Sequence, residues 1–394
     1  MATQVGIGFS QLANPLEAGQ WATRQALEPL TGREPHLVML FSTADMEPGQ
    51  MLAGVRAVAG EVPLVGGCST GVIAPPGTFS SGVAVLALYS DEIQVATDIA
   101  PGLSQDPMGG GQALVQRLRA RTEEARRATR GLLLTLLSIQ ESLGLVTVIE
   151  AMGNELGPLG RLIGGGVQDP SGRVTRPTFL NGEMHGDAAA TALFLTPGPV
   201  GVGVRHGYKP LSRPLVITRV QGNILYELDG RPAFQAYVEQ FPDHPELVPE
   251  NFGQFASDYP LGLPQLGREY IVRDPYGARP DGALACAGLL PEHAVVRIMV
   301  GNRATLIQSA REAAVEAVQP LEGRRPLLAL VFSCVSRLAY LGPAAQEEIA
   351  AIREVVGSET PLIGLFSFGE VAAQPDSPPT LHNKTVVVGV IGEI

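Results

Sequence analysis

The apolar positions of this chain form two patterns that alternate along its length. Short uninterrupted runs rich in Val, Leu and Ile, such as HLVMLFSTADM at 36–46, are typical of strands that are covered on both faces. Between these runs, apolar residues recur at spacings of three and four, as at Ile349, Ile352, Val355 and Val356, which predicts helices with one buried face. The alternation predicts an α/β fold.

The same order of elements occurs three times in the chain. Each repeat has a buried strand that ends in serine, a helix, a strand that runs into a glycine-rich turn, and a returning strand. A further strand and helix precede each repeat, and in the third we assign that strand to VRIMVGNRA at 296–304. The strand-end serines are Ser42, Ser138 and Ser333.

The glycines of the three turns give the spacing of the repeats. We align Gly66, Gly165 and Gly364, and the second gap is much longer than the first. That longer gap holds an insertion at roughly 207–292, which contains further strand-like segments such as PLVITRVQGNILYELDG.

We therefore predict repeated strand-helix-strand-helix-strand units stacked into layered α/β sheets, with a strand-rich insertion in the C-terminal half. Residues 1–206 should hold two tandem units, and residues 207–394 the strand-rich extension and the third unit. Because one such unit cannot bury its faces alone, the units should stack into one continuous body.

Charge and composition narrow the class of protein. A net charge of −11 argues against a general nucleic-acid binder, which needs a basic surface. The arginine-rich stretch at 117–130 is interrupted by acidic residues, and we interpret it as the solvated end of a helix. Three cysteines make no disulfide framework, and neither a secretion signal nor a run of roughly 20 apolar residues is present. We expect a cytoplasmic protein without membrane insertion.

Several motifs, taken together and in order, resemble the FIST family of sensory domains. The N-terminal half contributes VGIGFSQ, LVMLFST and PLVGGCSTGVI, and the C-terminal half contributes GNILYELDGRPAFQAY, YIVRDP, FSCVSRLAYLG and PLIGLFSFGE. The resemblance covers nearly the whole chain, so 1–206 would be a FIST N-terminal domain and 207–394 a FIST C-terminal domain. It implies a sensor that binds a small ligand such as an amino acid and signals to a partner such as a histidine kinase or cyclase.

Arg337 is the foremost candidate for a ligand contact. It follows a predicted core strand, at the edge where ligands of α/β sheets usually lie. A guanidinium at such a place can hold a carboxylate through two parallel hydrogen bonds. The alternative is an ion pair with Glu347, Glu348 or Glu370, and the sequence does not decide between them.

A zwitterionic ligand would need an acidic group beside the arginine. Glu370, in the turn FSFGE, is the expected acidic partner, and Arg273 with Asp274 in YIVRDP offers the same combination. Ser333, at the end of the third central strand, is a further candidate contact.

The turn GGCSTG at 66–71 is a second candidate site. Its free backbone N–H groups, with the hydroxyls of Ser69 and Thr70, suit a carboxylate or phosphate, although a tight turn of packed small side chains is the alternative. Cys68 lies in the same turn and is expected to be a buried structural thiol. The string also matches Gly-x-Ser-x-Gly, but no helix is predicted after it, which argues against a serine hydrolase.

No catalytic residue, zinc site or required cofactor is predicted. The histidines form no metal-binding motif, and His206 is the one considered as a lone axial ligand to haem. Cys334 is expected to be a buried structural thiol, although it would gain a lowered pKa if it met Arg337 in space. A haem-based nitric-oxide sensor, as described for some relatives, and a non-catalytic scaffold stay open as alternatives to the ligand sensor.

Overall fold

The computed structural model describes residues 3–122, 130–139, 142–157, 160–167, 177–265, 268–373 and 377–394. The predicted α/β fold with repeated units is confirmed, and so is the strand-rich insertion in the C-terminal half.

The first two units have the same order of elements. The first consists of β1 (Thr3–Ser10), α1 (Pro15–Leu27), β2 (Leu37–Thr43), α2 (Pro48–Ala59), β3 (Leu64–Ser69), β4 (Val72–Ala74), β5 (Gly77–Phe79) and β6 (Val83–Ser90). The second consists of β7 (Gln94–Pro101), α3 (Pro107–Ala120), β8 (Arg130–Ser138), α4 (Ser142–Leu156), β9 (Gly160–Gly166), β10 (Thr178–Leu180), β11 (Glu183–His185) and β12 (Ala188–Thr196). Of the arginine-rich stretch, 123–129 lies outside the described residues.

The third unit is interrupted after its first strand, β13 (Val200–Arg205). The inserted elements are β14 (Lys209–Pro210), β15 (Leu215–Gln221), β16 (Ile224–Leu228), β17 (Arg231–Pro232), α5 (Ala233–Val238), α6 (Phe252–Ala256), β18 (Leu261–Gln265), β19 (Arg268–Ala278), β20 (Leu284–Ala287) and β21 (Val295–Val300). The unit resumes with α7 (Arg303–Val318), β22 (Pro326–Cys334), α8 (Val335–Leu341), α9 (Ala345–Val356), β23 (Leu362–Ser367), β24 (Glu370–Ala372), β25 (Thr380–His382) and β26 (Val386–Gly392).

The insertion is a closed six-stranded barrel in the order β21, β15, β16, β20, β19, β18, with β18 pairing back onto β21. The assignment of VRIMV to the third α/β unit was therefore wrong, because those residues form β21 of the barrel. The strand that opens the third unit is β13, which pairs with β26. The error arose because β21 directly precedes α7 in the chain and so imitates the strand-helix order of the other units. The domain boundary at 206/207 remains a prediction.

Each unit supplies a two-stranded hairpin to the sheet of another unit. The β4–β5 hairpin pairs with β23 of the third unit, β10–β11 with β3 of the first, and β24–β25 with β9 of the second. Every sheet of the three units therefore contains four strands of its own unit and two from another. The exchange closes the three units into a ring.

The inner faces of the three sheets share one apolar core. Phe41, Leu134 and Phe332, one from each unit, are fully buried in it, while the helices cover the outer faces. This confirms that the units pack into one body. Within the described part of the chain, no helix is both long and apolar enough to cross a membrane.

Glycine is required at the turn positions because the backbone of the neighbouring strand lies too close for a side chain. A Cβ atom at Gly66 would lie 2.0 Å from a carbonyl oxygen of the neighbouring strand, and one at Gly364 would lie 1.9 Å from the corresponding oxygen. In the second unit the equivalent residue is Gly164 and not Gly165, because a Cβ atom at Gly164 would lie 1.8 Å from a carbonyl oxygen of the neighbouring strand. The alignment of the second unit was therefore wrong by one residue, and Ser138 is not equivalent to Ser42.

Replacing Gly66 with alanine should lower the free energy of unfolding by about 1–3 kcal/mol, because the added methyl group overlaps backbone atoms that cannot move aside cheaply. Urea unfolding followed by circular dichroism measures this change. Gly277→Ala is the matched control, since a Cβ atom added there would have no neighbour within 4 Å. Equal stability of the two variants would contradict the close-approach explanation.

Candidate functional site

Charged and ionisable side chains are buried where the third unit meets the barrel. This is unusual, because ionisable groups are seldom fully buried unless they are paired or functional. We call this set the joint cluster. It consists of Asp274, whose side chain is 20% exposed, and seven buried residues: His206, Arg273, Arg337, Glu348, Glu370, His382 and Lys384.

Arg337 and Glu348 form the central ion pair of the joint cluster. The Nε and Nη2 atoms of Arg337 donate to Oε2 of Glu348 at 3.0 and 2.8 Å, and both side chains are at most 1% exposed. Ser333 donates its hydroxyl to the other oxygen of Glu348 at 2.6 Å. Of the two alternatives for Arg337, the structure contains the ion pair, with Glu348 as its partner.

The other N–H groups of Arg337 bind backbone carbonyl oxygens. Nη1 donates to His206 at 2.9 Å and to Lys384 at 3.4 Å, and Nη2 donates to Leu306 at 2.8 Å. All five donors of the guanidinium are thus engaged inside the protein. The predicted ligand contact at Arg337 is untested, and it would require displacement of one of these partners.

Glu370 is fully buried and is not paired with Arg337. Its carboxylate accepts from the Ser367 hydroxyl at 2.8 Å, and from the hydroxyl and backbone N–H of Thr385 at 2.8 and 3.2 Å. Burial raises the pKa of Glu370 to about 7, although these hydrogen bonds act in the opposite direction. The carboxyl group can therefore gain or lose a proton near neutral pH.

Arg273 ties the barrel to the third unit. Its guanidinium donates to the carbonyl oxygens of Val272 and Leu289, both in the barrel, and to that of Leu381 in β25 at 3.1 Å. Burial lowers the pKa of Arg273 to about 10. These contacts make it a cross-link between β19 and the hairpin that β24 and β25 form.

Asp274, the next residue of β19, forms an ion pair with Lys384 at 3.0 Å. Burial alone would lower the pKa of Lys384, but the Asp274 carboxylate outweighs it and the pKa lies above its ordinary value. Sequence patterns gave no indication of Lys384, because a single lysine between two short strands belongs to no motif. Its closeness to Asp274 depends on how the barrel docks, which the sequence does not show.

Two buried acceptors, one in this ion pair and one on the residue next to Lys384 in the chain, have no hydrogen-bond partner among the described residues. They are Oδ1 of Asp274 and Oδ1 of Asn383, which directly precedes Lys384. Buried polar atoms are nearly always satisfied by protein, water or a ligand. The joint cluster therefore has unfilled hydrogen-bonding capacity next to a buried cation.

The turn at 66–71 forms a contact between units. The Ser69 hydroxyl donates to the carbonyl of Phe366 in the third unit, and the N–H of Phe366 donates to the carbonyl of Gly71 at 3.0 Å. Cys68 and Ser69 are buried, and the Thr70 hydroxyl is buried without a hydrogen-bond partner among the described residues. Strand β4, and not a helix, follows the Gly-x-Ser-x-Gly string, as expected for a turn that is not a nucleophile elbow.

Cys334 does not have the lowered pKa that a neighbouring arginine would give it. Burial, reinforced by the nearby Glu370 carboxyl, raises the pKa of this thiol to about 12. Arg337 cannot offset this effect, because its charge is matched by Glu348. Cys334 is buried, and its raised pKa is that expected of a structural thiol rather than an activated one.

His206 does not fit a haem. Its Nδ1 accepts from the backbone N–H of Tyr208 at 2.9 Å, and its Nε2 is buried 3.6 Å from a carboxylate oxygen of Glu269. An iron atom bound to Nε2 would overlap Glu269. Burial lowers the pKa of His206 to about 3, so the ring is neutral. No group of three or more metal-binding side chains occurs in the described ranges.

The chain matches two family models, that of the FIST N domain over residues 36–231 and that of the FIST C domain over residues 233–373. An uncharacterized protein of Mycobacterium tuberculosis is 26% identical over 396 residues, covering 93% of this chain and 94% of that protein. An uncharacterized protein of Mycobacterium bovis is 29% identical over 222 residues, covering 51% of this chain and 56% of that protein. A cyanuric acid hydrolase structure covers 100% of both chains at 10% identity, and its TM-score of 0.39 is too low to support a conclusion.

Removing one member of the central ion pair should be strongly destabilising. Glu348→Gln leaves the Arg337 charge buried without a counter-charge, and a loss of about 3–5 kcal/mol in the free energy of unfolding is expected. The control is Glu354→Gln, which breaks the exposed pair with Arg311 and should cost less than about 1 kcal/mol. Similar losses in urea unfolding for both variants would contradict the assigned importance of the buried pair.

Glu370 should make stability depend on pH. Because its folded pKa is raised above that of the unfolded chain, its stabilising contribution is present at low pH and is lost as the pH rises towards about 7. Glu370→Gln has no proton to lose. As the pH rises from 5.5 to 8.5, the free energy of unfolding of the variant should therefore increase by about 2 kcal/mol relative to that of the original protein. Urea unfolding at both pH values tests this. Glu312→Gln, at an exposed position, is the control, and parallel pH profiles for Glu370→Gln and the original protein would refute the assignment.

Proposed function

The chain belongs to the FIST family, and from that premise we propose that it is a sensor which binds a small ligand and relays its presence to a protein partner. FIST domains are regarded as sensory signalling domains. The observation that carries the proposal is the joint cluster, where the buried Lys384 ammonium pairs with Asp274, and where one oxygen of that carboxylate has no partner among the described residues. A protein that only needed a stable interface would gain more from apolar contacts there.

The ligand we propose is an amino acid or a similar small metabolite. The joint cluster contains both buried cations and buried carboxyl groups, as the recognition of a zwitterion requires. Charges of both signs within one enclosed region favour a ligand that also carries both signs. A purely apolar ligand would leave these groups unsatisfied.

A catalytic role is not part of the proposal. Ser69, the central serine of the Gly-x-Ser-x-Gly string, is held in a structural contact by its hydrogen bond to Phe366. The raised pKa of Cys334 keeps its thiol protonated at neutral pH. Both features favour binding over covalent chemistry.

The signal would be a change in the barrel relative to the ring of α/β units. Strand β19 contacts the third unit through both Arg273 and Asp274, so a ligand at the joint would alter the interface between two separately built parts of the molecule. A ligand shifts such an equilibrium only as far as its affinities for the two states differ. We propose that a partner such as a histidine kinase or a cyclase recognises the ligand-bound arrangement.

A thermal-shift screen against the standard L-amino acids tests the proposed function. A ligand that binds the native state should raise the melting temperature in a saturable manner, with a stabilisation of about 2.7 kcal/mol at a hundredfold excess over Kd. The matched control is the corresponding methyl ester, which lacks the carboxylate charge. If no amino acid stabilises the protein, the proposal of an amino-acid sensor fails and a scaffold role is favoured.

A further inference from the structure

Lys384 is held in an unusual position. Its backbone has a φ of 57°, in the left-handed region that non-glycine residues seldom adopt, and its carbonyl accepts a hydrogen bond from Arg337. The next residue, Thr385, is fixed by Glu370. The backbone of this turn is therefore fixed by the third unit, and the lysine side chain is directed to the barrel, where it meets Asp274.

The ion pair leaves hydrogen-bonding capacity on both partners. The Lys384 ammonium has three N–H donors, and Oδ2 of Asp274, at 3.0 Å, accounts for one of them. The other oxygen of Asp274 is buried and has no hydrogen-bond partner among the described residues. Asn383, which is 5% exposed, has a second buried acceptor, Oδ1, without a hydrogen-bond partner among the described residues.

The second unit offers a comparison within the same chain. There, Asp187 occupies the position equivalent to Lys384. Asp187 lies two residues before Ala189, which pairs with Leu137, as Lys384 lies two residues before Val386, which pairs with Ser333. Asp187 is also left-handed, with a φ of 47°. Both carboxylate oxygens of Asp187 are filled by Ser104, whose N–H and hydroxyl lie at 2.9 and 2.6 Å. A side chain at this position can thus have its hydrogen-bonding atoms fully satisfied within the protein. In the third unit, Oδ1 of Asp274, the partner of Lys384, is not satisfied by any of the described residues.

We propose that Lys384 and Asp274 are the residues that hold the ligand, with Asn383 as a supporting acceptor. The carboxylate of the ligand binds the Lys384 ammonium, and its own ammonium binds Oδ1 of Asp274. This assignment rests on the proposed function, and it moves the expected carboxylate contact from Arg337 to Lys384.

The spacing of the pair indicates which zwitterions fit. The opposite charges of Lys384 and Asp274 are 3.0 Å apart. A ligand that pairs with both must carry its two charges at a similar separation, as an α-amino acid does because both groups are attached to one carbon. A compound with its amine at the far end of a flexible chain, such as γ-aminobutyrate, must fold back to match both partners at once, which costs conformational entropy. The pair should therefore favour α-amino acids, in which the covalent structure already fixes the separation of the charges.

The test is calorimetric titration of each L-amino acid that stabilises the original protein in the thermal-shift screen. Lys384→Met keeps the length of the side chain but removes the ammonium, and Asp274→Asn keeps the shape of the carboxylate but removes its charge. Each should weaken binding at least tenfold, since a hydrogen bond to a charged group is lost in each case. Arg213→Met is the matched control, because Arg213 and Asp229 form an ion pair of the barrel away from the joint, and it should leave the affinity unchanged.

Ligand analogues give a second measurement that does not depend on the variants folding. For any amino acid that binds, the acid lacking the amino group and the amine lacking the carboxylate should each bind at least tenfold more weakly. If the original protein binds an amino acid and Lys384→Met and Asp274→Asn, both folded by circular dichroism, bind it equally well, the assigned pair is wrong while the sensor proposal stands. If the original protein binds no amino acid, the proposed function fails and the assignment fails with it.

Discussion

The ion pair between Arg337 and Glu348 is the contact on which the arrangement of the third unit depends. Taking two charges out of water is costly, and the cost is recovered only when every donor and acceptor finds a partner. Arg337 meets this condition by binding carbonyl oxygens from three separate segments, at His206, Leu306 and Lys384. These segments are the exit from β13, the first turn of α7 and the turn before β26. The backbone carbonyl of Lys384 is thus one of the groups that satisfy Arg337.

The exchange of hairpins explains why the joint lies where it does. Each hairpin follows the strand that pairs in parallel with the central strand of its unit, and it continues the sheet of another unit. The ends of the central strands are therefore covered by neighbouring segments and not by solvent. In the third unit the barrel is inserted between β13 and α7, and it contacts the hairpin whose second strand, β25, leads into the turn before β26. Polar groups at that strand end therefore face the barrel, whereas the corresponding groups in the second unit face a short loop.

The sequence predicted the elements that local pattern controls and missed those that docking controls. Apolar runs and their repetition predicted the α/β units, the insertion and the turn glycines. The one-residue error at Gly165 arose because three successive glycines, at 164–166, are indistinguishable until strand register shows which one lies against a carbonyl oxygen. Arg337 was recognised as important, but its partner among nearby glutamates depends on how α8 packs against α9. Lys384 had no signal, since its partner Asp274 is in the barrel.

The turn at 383–385 connects the ring of α/β units to the barrel, which has an apolar core of its own. Through β25 it is continuous with the hairpin that pairs with β9, so it is joined to the second sheet. Through Lys384 the turn contacts the barrel. Through Thr385 it contacts Glu370. Because the pKa of Glu370 is about 7, nearby charges can change its protonation state at neutral pH. Gain or loss of the Glu370 proton and a contact at Lys384 therefore act on adjacent residues of the same turn, the first through Thr385 and the second through Lys384.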